Sequence, residues 1–503
     1  MKSIAIVGAG VGGCTTYLFL KKHLSSHIPD LDIHIYESYP PPPYLSKSHP
    51  KSPNAHPKDI EETPNLHSTP TTNLTTAIGG GLGLAPNGIR VLKKLDPEIF
   101  SRIKASSHET DVFTLQVSSG RILGNFPAGG KRYGHGTMMI MRATLHDTVL
   151  EKVDLKDISF EKKVKNVVDG EDRVKIQFED GESVEVDFVV GADGVWGKTK
   201  EAIPESARVR AEYDGLVGIG AFLDEKTTRR ILDEVKDKKN LVLPKSFMTM
   251  TFGPGAFFGS WLDMDRVEKS SPKNGILESK DPDHNLPFAG WWSTFPMEPP
   301  PTSRTPFAEV KDQVLAKHKE WTPLITALIE NSGLDGNREG TFVLPRWITP
   351  PMPKWTSNSG RILLAGDAAH CMPPDSGQGV SCAVEDAMTI ALLCEDIFTA
   401  KTGKELSDQE RFKKLCDLYT KLRKPRCEYI VEEARKRGDM KRELGIVEQT
   451  IRNVVMWAMC KVMPESAMDA FYSYDVETEV KKALKGEIPA VKGKGKVIAV
   501  EQK

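Results

Sequence analysis

Apolar and polar positions along the chain change period several times, and each change marks an element. Residues 3–24 place a short apolar run that predicts a strand directly before Gly8, and then a helix-patterned segment. A second strand is predicted at Ile33–Tyr36. Helix-like spacing returns at Ile89–Leu95, and Met138–Leu150 reads as an apolar strand running into a helix. Two β runs, Val174–Phe178 and Ser183–Val190, are joined by the turn Glu179-Asp180-Gly181. Between 205 and 345, strand-like pieces rich in large apolar residues (216–222, 247–252, 257–262, 291–295) alternate with charged segments such as 224–240 and 264–287. That alternation predicts a mainly antiparallel sheet with its own core. The run Ile362–Ala365 reads as another buried strand, followed by a glycine corner and a helix from Val380. Beyond Ala387 the pattern is helical at 388–400, at 408–437 with an interruption at Pro425, and at 448–463. Residues 451–463 are apolar and somewhat amphipathic, which predicts a docked helix in preference to a membrane anchor.

Taken together the elements predict an α/β chain, α+β overall. A Rossmann-like first domain spans 1–204 and 346–400, interrupted by a β-sheet domain at 205–345. A helical region follows at 401–485, then a frayed basic tail at 486–503. Residues 40–76 hold nine prolines and few large apolar residues, and read as a disordered insertion whose His49, His56 and His67 match no compact metal motif.

With 503 residues, 39% hydrophobic and 27% charged, the chain is long enough for two or more domains. A net charge of −1 gives no electrostatic case for nucleic acid. Seven scattered cysteines without a CxxC pair fit free thiols in a reducing compartment. The N-terminus enters a strand directly, without a secretory pattern, and no run reaches the ~20 apolar residues of a spanning helix. The expectation is a cytoplasmic protein with no transmembrane segment, which leaves room for a peripheral membrane contact.

The chemistry gathers in three places. Gly8, Gly10 and Gly13 form GxGxxG between a strand and a helix, and the next strand ends at Glu37. The glycines give a tight turn, close approach of a pyrophosphate and close helix packing, while the glutamate can hold a ribose. Gly191-Ala192-Asp193-Gly194 ends another strand, and the glycines at 79–83 let backbone pass close to a flat ligand. Arg142, at a strand–helix junction, suits a phosphate contact or a surface ion pair equally. The stretch from Gly360 to Ala387 brings Asp367, a candidate acceptor from sugar-like hydroxyls, to Pro373-Pro374 and Gly377-Gln378-Gly379. A glycine corner opening a helix gathers backbone N–H groups and the positive end of the helix dipole at one point.

GxGxxG with a downstream Glu37, then GADG at 191–194, then GDAAHCMPPDSGQG with EDA at 385–387, stand in an order that resembles the group A FAD-dependent monooxygenases. This is the family of para-hydroxybenzoate hydroxylase and salicylate hydroxylase. The resemblance runs from residue 1 to about 480, without the insertion. Arg423-Lys424-Pro425-Arg426 and Tyr474-Asp475-Val476-Glu477 are similar to fungal biosynthetic members. It implies that Gly8, Gly10 and Gly13 take the FAD pyrophosphate, Glu37 the ribose and Asp367 the ribityl chain. Gly80 and Gly81 pass beside the cofactor, and Arg142, Asp193 and Gly194 contact it. Pro374, Gly379, Val380 and Ser381 lie beside the isoalloxazine, where a helix N-terminus stabilises the anionic reduced ring.

Some positions depart from the family pattern. No arginine lies between Glu37 and Gly79, and Ser381 stands where many relatives have asparagine. The resemblance implies that Phe257 and Trp291 or Trp292 lie in the substrate pocket, which makes it apolar and aromatic. Tyr213 is the one titratable candidate beside the ring, against a half-buried sheet tyrosine. The function this implies is NAD(P)H-driven insertion of one oxygen atom from O2 through a flavin C4a-hydroperoxide. The substrate would be an aromatic or a polyketide/terpenoid-like molecule, with hydroxylation ahead of epoxidation, in secondary metabolism. The alternatives are a flavin-dependent dehydrogenase or reductase, and a silent flavin-binding scaffold. No metal site and no nucleophilic triad is read from the sequence.

Overall fold

The computed structural model describes residues 1–46, 80–238, 246–263, 287–301, 307–332, 341–399 and 406–487. Residues 47–79 with the three insertion histidines, most of the 264–287 segment and the tail from 488 lie outside the described residues.

The chain opens with Ser3–Val7 (β1), Val11–Leu24 (α1) and Asp32–Tyr36 (β2). Pro86–Leu95 (α2), the hairpin Val112–Val117 (β3) and Ile122–Pro127 (β4), Arg142–Leu150 (α3) and Phe188–Gly191 (β5) follow. Next come Glu212–Leu223 (β6), Met248–Gly253 (β7), Ala256–Leu262 (β8), Ala289–Pro296 (β9), Thr341–Ile348 (β10) and Ile362–Leu364 (β11). Three long helices follow, Gly379–Thr399 (α4), Asp408–Asp439 (α5) and Ile446–Val462 (α6), and shorter helical pieces up to Val476–Leu484 end the described chain.

β11, β5, β1 and β2 lie side by side in a parallel sheet, with Ile158–Ser159 at the far edge. These strands are apolar almost throughout because both faces of a parallel sheet are covered. One face carries α1 packed against α4, in the main core with Phe19, Leu20, Phe188 and Leu363. The pairing brings the turn after β1 and the turn after β11 to the same sheet edge, although some 350 residues separate them (364 − 7 = 357). In doubly wound folds this C-terminal edge is where ligands bind.

The second sheet runs β10-β6-β9-β8-β7-β3-β4 and is antiparallel at every pair except β7 with β3. The expected division at 204/205 needs one correction: the hairpin at 112–127 adds two strands to this sheet. Nothing local marks that exchange, since an alternating strand pairs with whichever edge is open. Side chains alternate between the faces. Phe258, Trp291 and Phe295 pack under the helices at 307–318 and 323–330, whereas Phe257 and Trp292 point the other way.

Two helical expectations are also corrected. α5 continues without interruption through Pro425, which sits on the exposed side of the helix. Water can reach the carbonyl that the proline leaves unpaired there. α6 does lie on the sheet, against β4, but it buries only Arg452 and Met456. Arg452 sits 5.5 Å from the Phe252 ring and donates to the Met440 carbonyl at 3.2 Å. The valines and isoleucine at 447, 451, 454, 455 and 462 point outward, each at least half exposed.

Candidate active site

A single cavity of about 2100 Å³ is lined by the parallel-sheet edge, the second sheet, α5 and α6. Small-molecule sites usually enclose roughly 300–1,000 Å³, so this one has room for a dinucleotide and a further ligand.

At its nucleotide end the three motif glycines have separate reasons. Gly8 adopts φ +101°, and a side chain there would press on the Ala192 carbonyl at 2.5 Å. At Gly13 a Cβ would lie 1.9 Å from the Gly8 carbonyl oxygen, so α1 packs directly on its own turn and Gly13 sits behind the cavity wall. A Cβ on Gly10 would meet no protein atom within 4 Å, because that position opens into the cavity. Gly10 is also the N-cap of α1, whose first turn has no side-chain cap and no acidic residue. Uncapped N–H groups at a helix start are a ready anion site. Glu37 reaches back to this turn, its Oε2 accepting from the Ala9 N–H at 2.6 Å and its Oε1 from the Tyr39 N–H at 2.9 Å.

Gly80 and Gly81 line the cavity beside Arg142, whose backbone N–H donates to the Gly80 carbonyl at 3.2 Å. Asp193 and Gly194 line it too. Asp193 Oδ2 accepts from the Thr199 N–H and hydroxyl at 2.8 and 2.9 Å, while Oδ1 has no partner among the described residues. Burial raises this carboxyl above the usual range. Asp367 is exposed at the start of a short helix and its carboxylate faces the cavity without a hydrogen bond from the described residues. Pro374, Gly379 and Val380 complete this wall, and Gly379, like Gly10, would project a Cβ into open space. Ser381 lies one layer back, fully buried against α2 with its Oγ unpartnered among the described residues. These features fit FAD: two glycine positions open to the cavity, each at a helix start, and the carboxylates of Glu37 and Asp367 lining it.

The wall is braced from behind by groups that the sequence did not connect to one another. Asp386 accepts from the Gly366 N–H at 2.9 Å, pairs with His370 at 2.7 Å and binds Arg423 Nε at 2.7 Å. Glu385 takes Arg423 Nη1 at 2.8 Å, Arg426 Nε at 2.7 Å and the Asn87 amide at 2.7 Å. Burial opposes ionisation of both carboxylates, but the cations outweigh it and hold them below their usual range. The EDA motif and the Arg423/Arg426 pair, noted separately in the sequence, are thus two halves of one buried lock between α4 and α5.

At the other end the second sheet supplies an apolar floor of Phe257, Trp292, Met250 and Phe252. Trp291 is turned away into the opposite core, fully buried. Tyr213 does not reach the cavity. Its hydroxyl donates to the Met297 carbonyl at 2.7 Å, and burial with nearby Glu298 and Asp214 pushes it up to about 12. A charged cluster that the sequence reading missed stands at the junction instead. Asp375, in the loop ahead of α4, lies 2.6 Å from Arg346 and 2.7 Å from Lys441, and Arg346 also holds Asp214 at 2.7 Å. Burial works against the Asp375 charge, but Lys441 and Arg346 keep its carboxyl below the usual range. These residues are scattered over more than 200 positions, so no spacing rule could have found them.

Residues 353–434 match the family described as an FAD binding domain. Among curated proteins, the dual trans-enoyl reductase/FAD-dependent monooxygenase tazHJ of Aspergillus terreus is 24% identical over 80% of this chain, which spans only 54% of that larger protein. The 6-hydroxynicotinate 3-monooxygenase of Bordetella bronchiseptica is 24% identical over 63% of this chain and 73% of its own length. Among solved structures, a salicylate hydroxylase substrate complex superposes with TM-score 0.68 at 16% identity, covering 97% of this chain and 98% of its own. HpxO of Klebsiella pneumoniae with FAD and uric acid gives 0.65 at 17% identity, covering 96% and 97%. With a glycine cradle opening into an apolar aromatic chamber, the chain is similar in sequence and in fold to FAD-dependent monooxygenases.

Proposed function

We propose that this protein is an NAD(P)H-consuming hydroxylase that inserts one oxygen atom from O2 into a large, mainly apolar aromatic or polyketide/terpenoid-like molecule in secondary metabolism. Epoxidation of such a molecule is the next choice. The observation that carries this reading is the continuity of the cavity from Gly10 and Glu37 at one end to Phe257 and Trp292 at the other.

FAD bound in the cradle supplies the redox and oxygen-activating chemistry. The chain's residues bind and orient it: the start of α1 takes the pyrophosphate, Glu37 the ribose, Asp367 the ribityl hydroxyls, and the start of α4 the developing negative charge of the ring. Phe257, Trp292, Met250 and Phe252 keep water from the reacting face and give a flat substrate a surface to lie on. No proton-transferring residue is assigned from Tyr213, which is engaged elsewhere. The outward valine and isoleucine stripe of α6 borders the cavity through Ile451 and Val455, and supports a peripheral membrane contact from which an apolar substrate would enter. Flotation with phosphatidylcholine vesicles tests it: recovery of the wild type but not of a Val454→Glu/Val462→Glu variant is expected, and equal recovery overturns the contact.

The primary test is anaerobic stopped-flow reduction of the bound flavin by NADPH and NADH, with and without a panel of phenols and polyketide-like aromatics. Reduction that one aromatic accelerates many-fold is expected. A flavin that stays oxidised under every condition would favour a reductase using another donor.

A further inference from the structure

The hydroxylase reading leaves open what holds a substrate in a chamber whose floor is almost wholly apolar. Lys441 lies in the turn between α5 and α6 and lines the cavity with its side chain only 12% exposed. Its Nζ sits 3.8 Å from the centre of the Phe257 ring and 2.7 Å from Asp375 Oδ1. Asp375 belongs to the loop that leads into the start of α4, the wall assigned to the flavin ring. Lys441 therefore stands at the seam between that wall and the aromatic floor.

An ammonium group has three donors. Among the described residues Lys441 has one anionic partner, and the Phe257 face takes a second direction by cation–π attraction. Asp375 does not depend on Lys441 alone, because Arg346 grips its other oxygen at 2.6 Å. A buried cation with donor capacity left over is costly unless something accepts from it. Water can do so in the resting protein. An acceptor oxygen on a flat ring stacked against Phe257 and Trp292 would do so better, since the same ligand buries its carbon skeleton on the floor.

Resting on the hydroxylase reading, we infer that Lys441 is the substrate-anchoring residue of this site, donating to the oxygen of a phenolic hydroxyl on an otherwise apolar aromatic substrate. The other charged groups facing Lys441 are Asp375, Arg346 and Arg437. Together with Asp214 on Arg346, they leave no uncompensated anion beside Lys441 among the described residues. A neutral phenol is matched, and an amine is not.

The test compares binding of phenols with that of the same aromatics lacking the hydroxyl, measured by calorimetry on FAD-loaded wild type, Lys441→Met, Lys441→Gln and Lys441→Arg proteins. FAD content and Tm are recorded for each. Loss of the hydroxyl removes the acceptor oxygen while leaving the ring intact. The wild type is expected to prefer the phenol by about tenfold or more, the size of one hydrogen bond to a charged group. Lys441→Met and Lys441→Gln should lose that preference while retaining FAD, and Lys441→Arg should keep part of it. An unchanged preference for the phenol over its deoxy analogue in either uncharged variant overturns the anchor. Should Lys441→Met not fold, the glutamine variant decides alone. A wild type that binds no phenol although NADPH still reduces its flavin overturns the phenol-hydroxylase reading itself, and the anchor with it.

Discussion

Two glycines three positions apart in one motif make opposite demands, and a single added methyl tells them apart. Gly10 has φ −66° and open space where a Cβ would go, so Gly10→Ala should fold with an unchanged Tm as apoprotein yet lose its FAD. Gly13→Ala would force a Cβ against the Gly8 carbonyl oxygen, 1.9 Å away, and should cost more than about 3 kcal/mol whether or not FAD is present. Thermal melts and flavin absorbance per mole of protein separate the two. A Gly10→Ala protein that keeps its flavin would remove the pyrophosphate from the start of α1. Gly13 was legible in the sequence because packing a helix directly on its own turn is a local demand that only glycine meets. Arg346, Asp375 and Lys441 were not. Each is an ordinary charged residue in its own neighbourhood, and only the fold makes them neighbours.

At the scale of elements, long periodic segments were readable and their facing was not. The pattern at 451–463 identified a helix, but amphipathicity has no sign with respect to the protein interior. α6 turns Arg452 inward and its valines outward, so the substitutions Val454→Glu and Val462→Glu should each shift stability by no more than ~0.5 kcal/mol in urea unfolding. Pro425 was read as a break because proline disrupts an isolated helix, and tertiary ion pairs outweigh that here. Arg423→Met should therefore destabilise by about 3–5 kcal/mol, leaving Glu385 and Asp386 short of a partner, whereas Lys421→Ala on the exposed face should be close to neutral. The second sheet carries its own pH signature. His318 is buried, its Nδ1 donating to the Val314 carbonyl at 2.7 Å, and burial lowers its pKa from 6.5 to about 4. The unfolded chain takes up that proton first, so stability is expected to fall as pH drops from about 6.5 to about 4, by up to ~3 kcal/mol. Urea midpoints across that range should show the slope, and a His318→Leu variant should flatten it.

For the whole molecule, the question is how two separately built cores share one cavity. The parallel-sheet core and the core beneath Phe258, Trp291 and Phe295 are distinct clusters. Arg346 is one bridge between them, joining Asp214 on β6 to Asp375 in the loop before α4. The sequence could locate both cores from their periods, but not this bridge, which depends on how the domains meet. A ligand that binds only the folded state stabilises the parts it touches, by about 2.7 kcal/mol at a hundredfold excess over Kd. Hydrogen exchange of the FAD-stripped protein should therefore show lost protection in segments 8–13, 37–39, 80–83 and 366–380, which form the cradle. β8 and β9, whose inner residues face the second core, should keep theirs. Loss confined to the cradle would mean that the sheet domain stands as a finished floor before the cofactor arrives. Loss spreading into β8 and β9 would mean that the cofactor completes both cores at once. In that case Arg346→Met, by cutting the bridge, should restrict the spread to the cradle side.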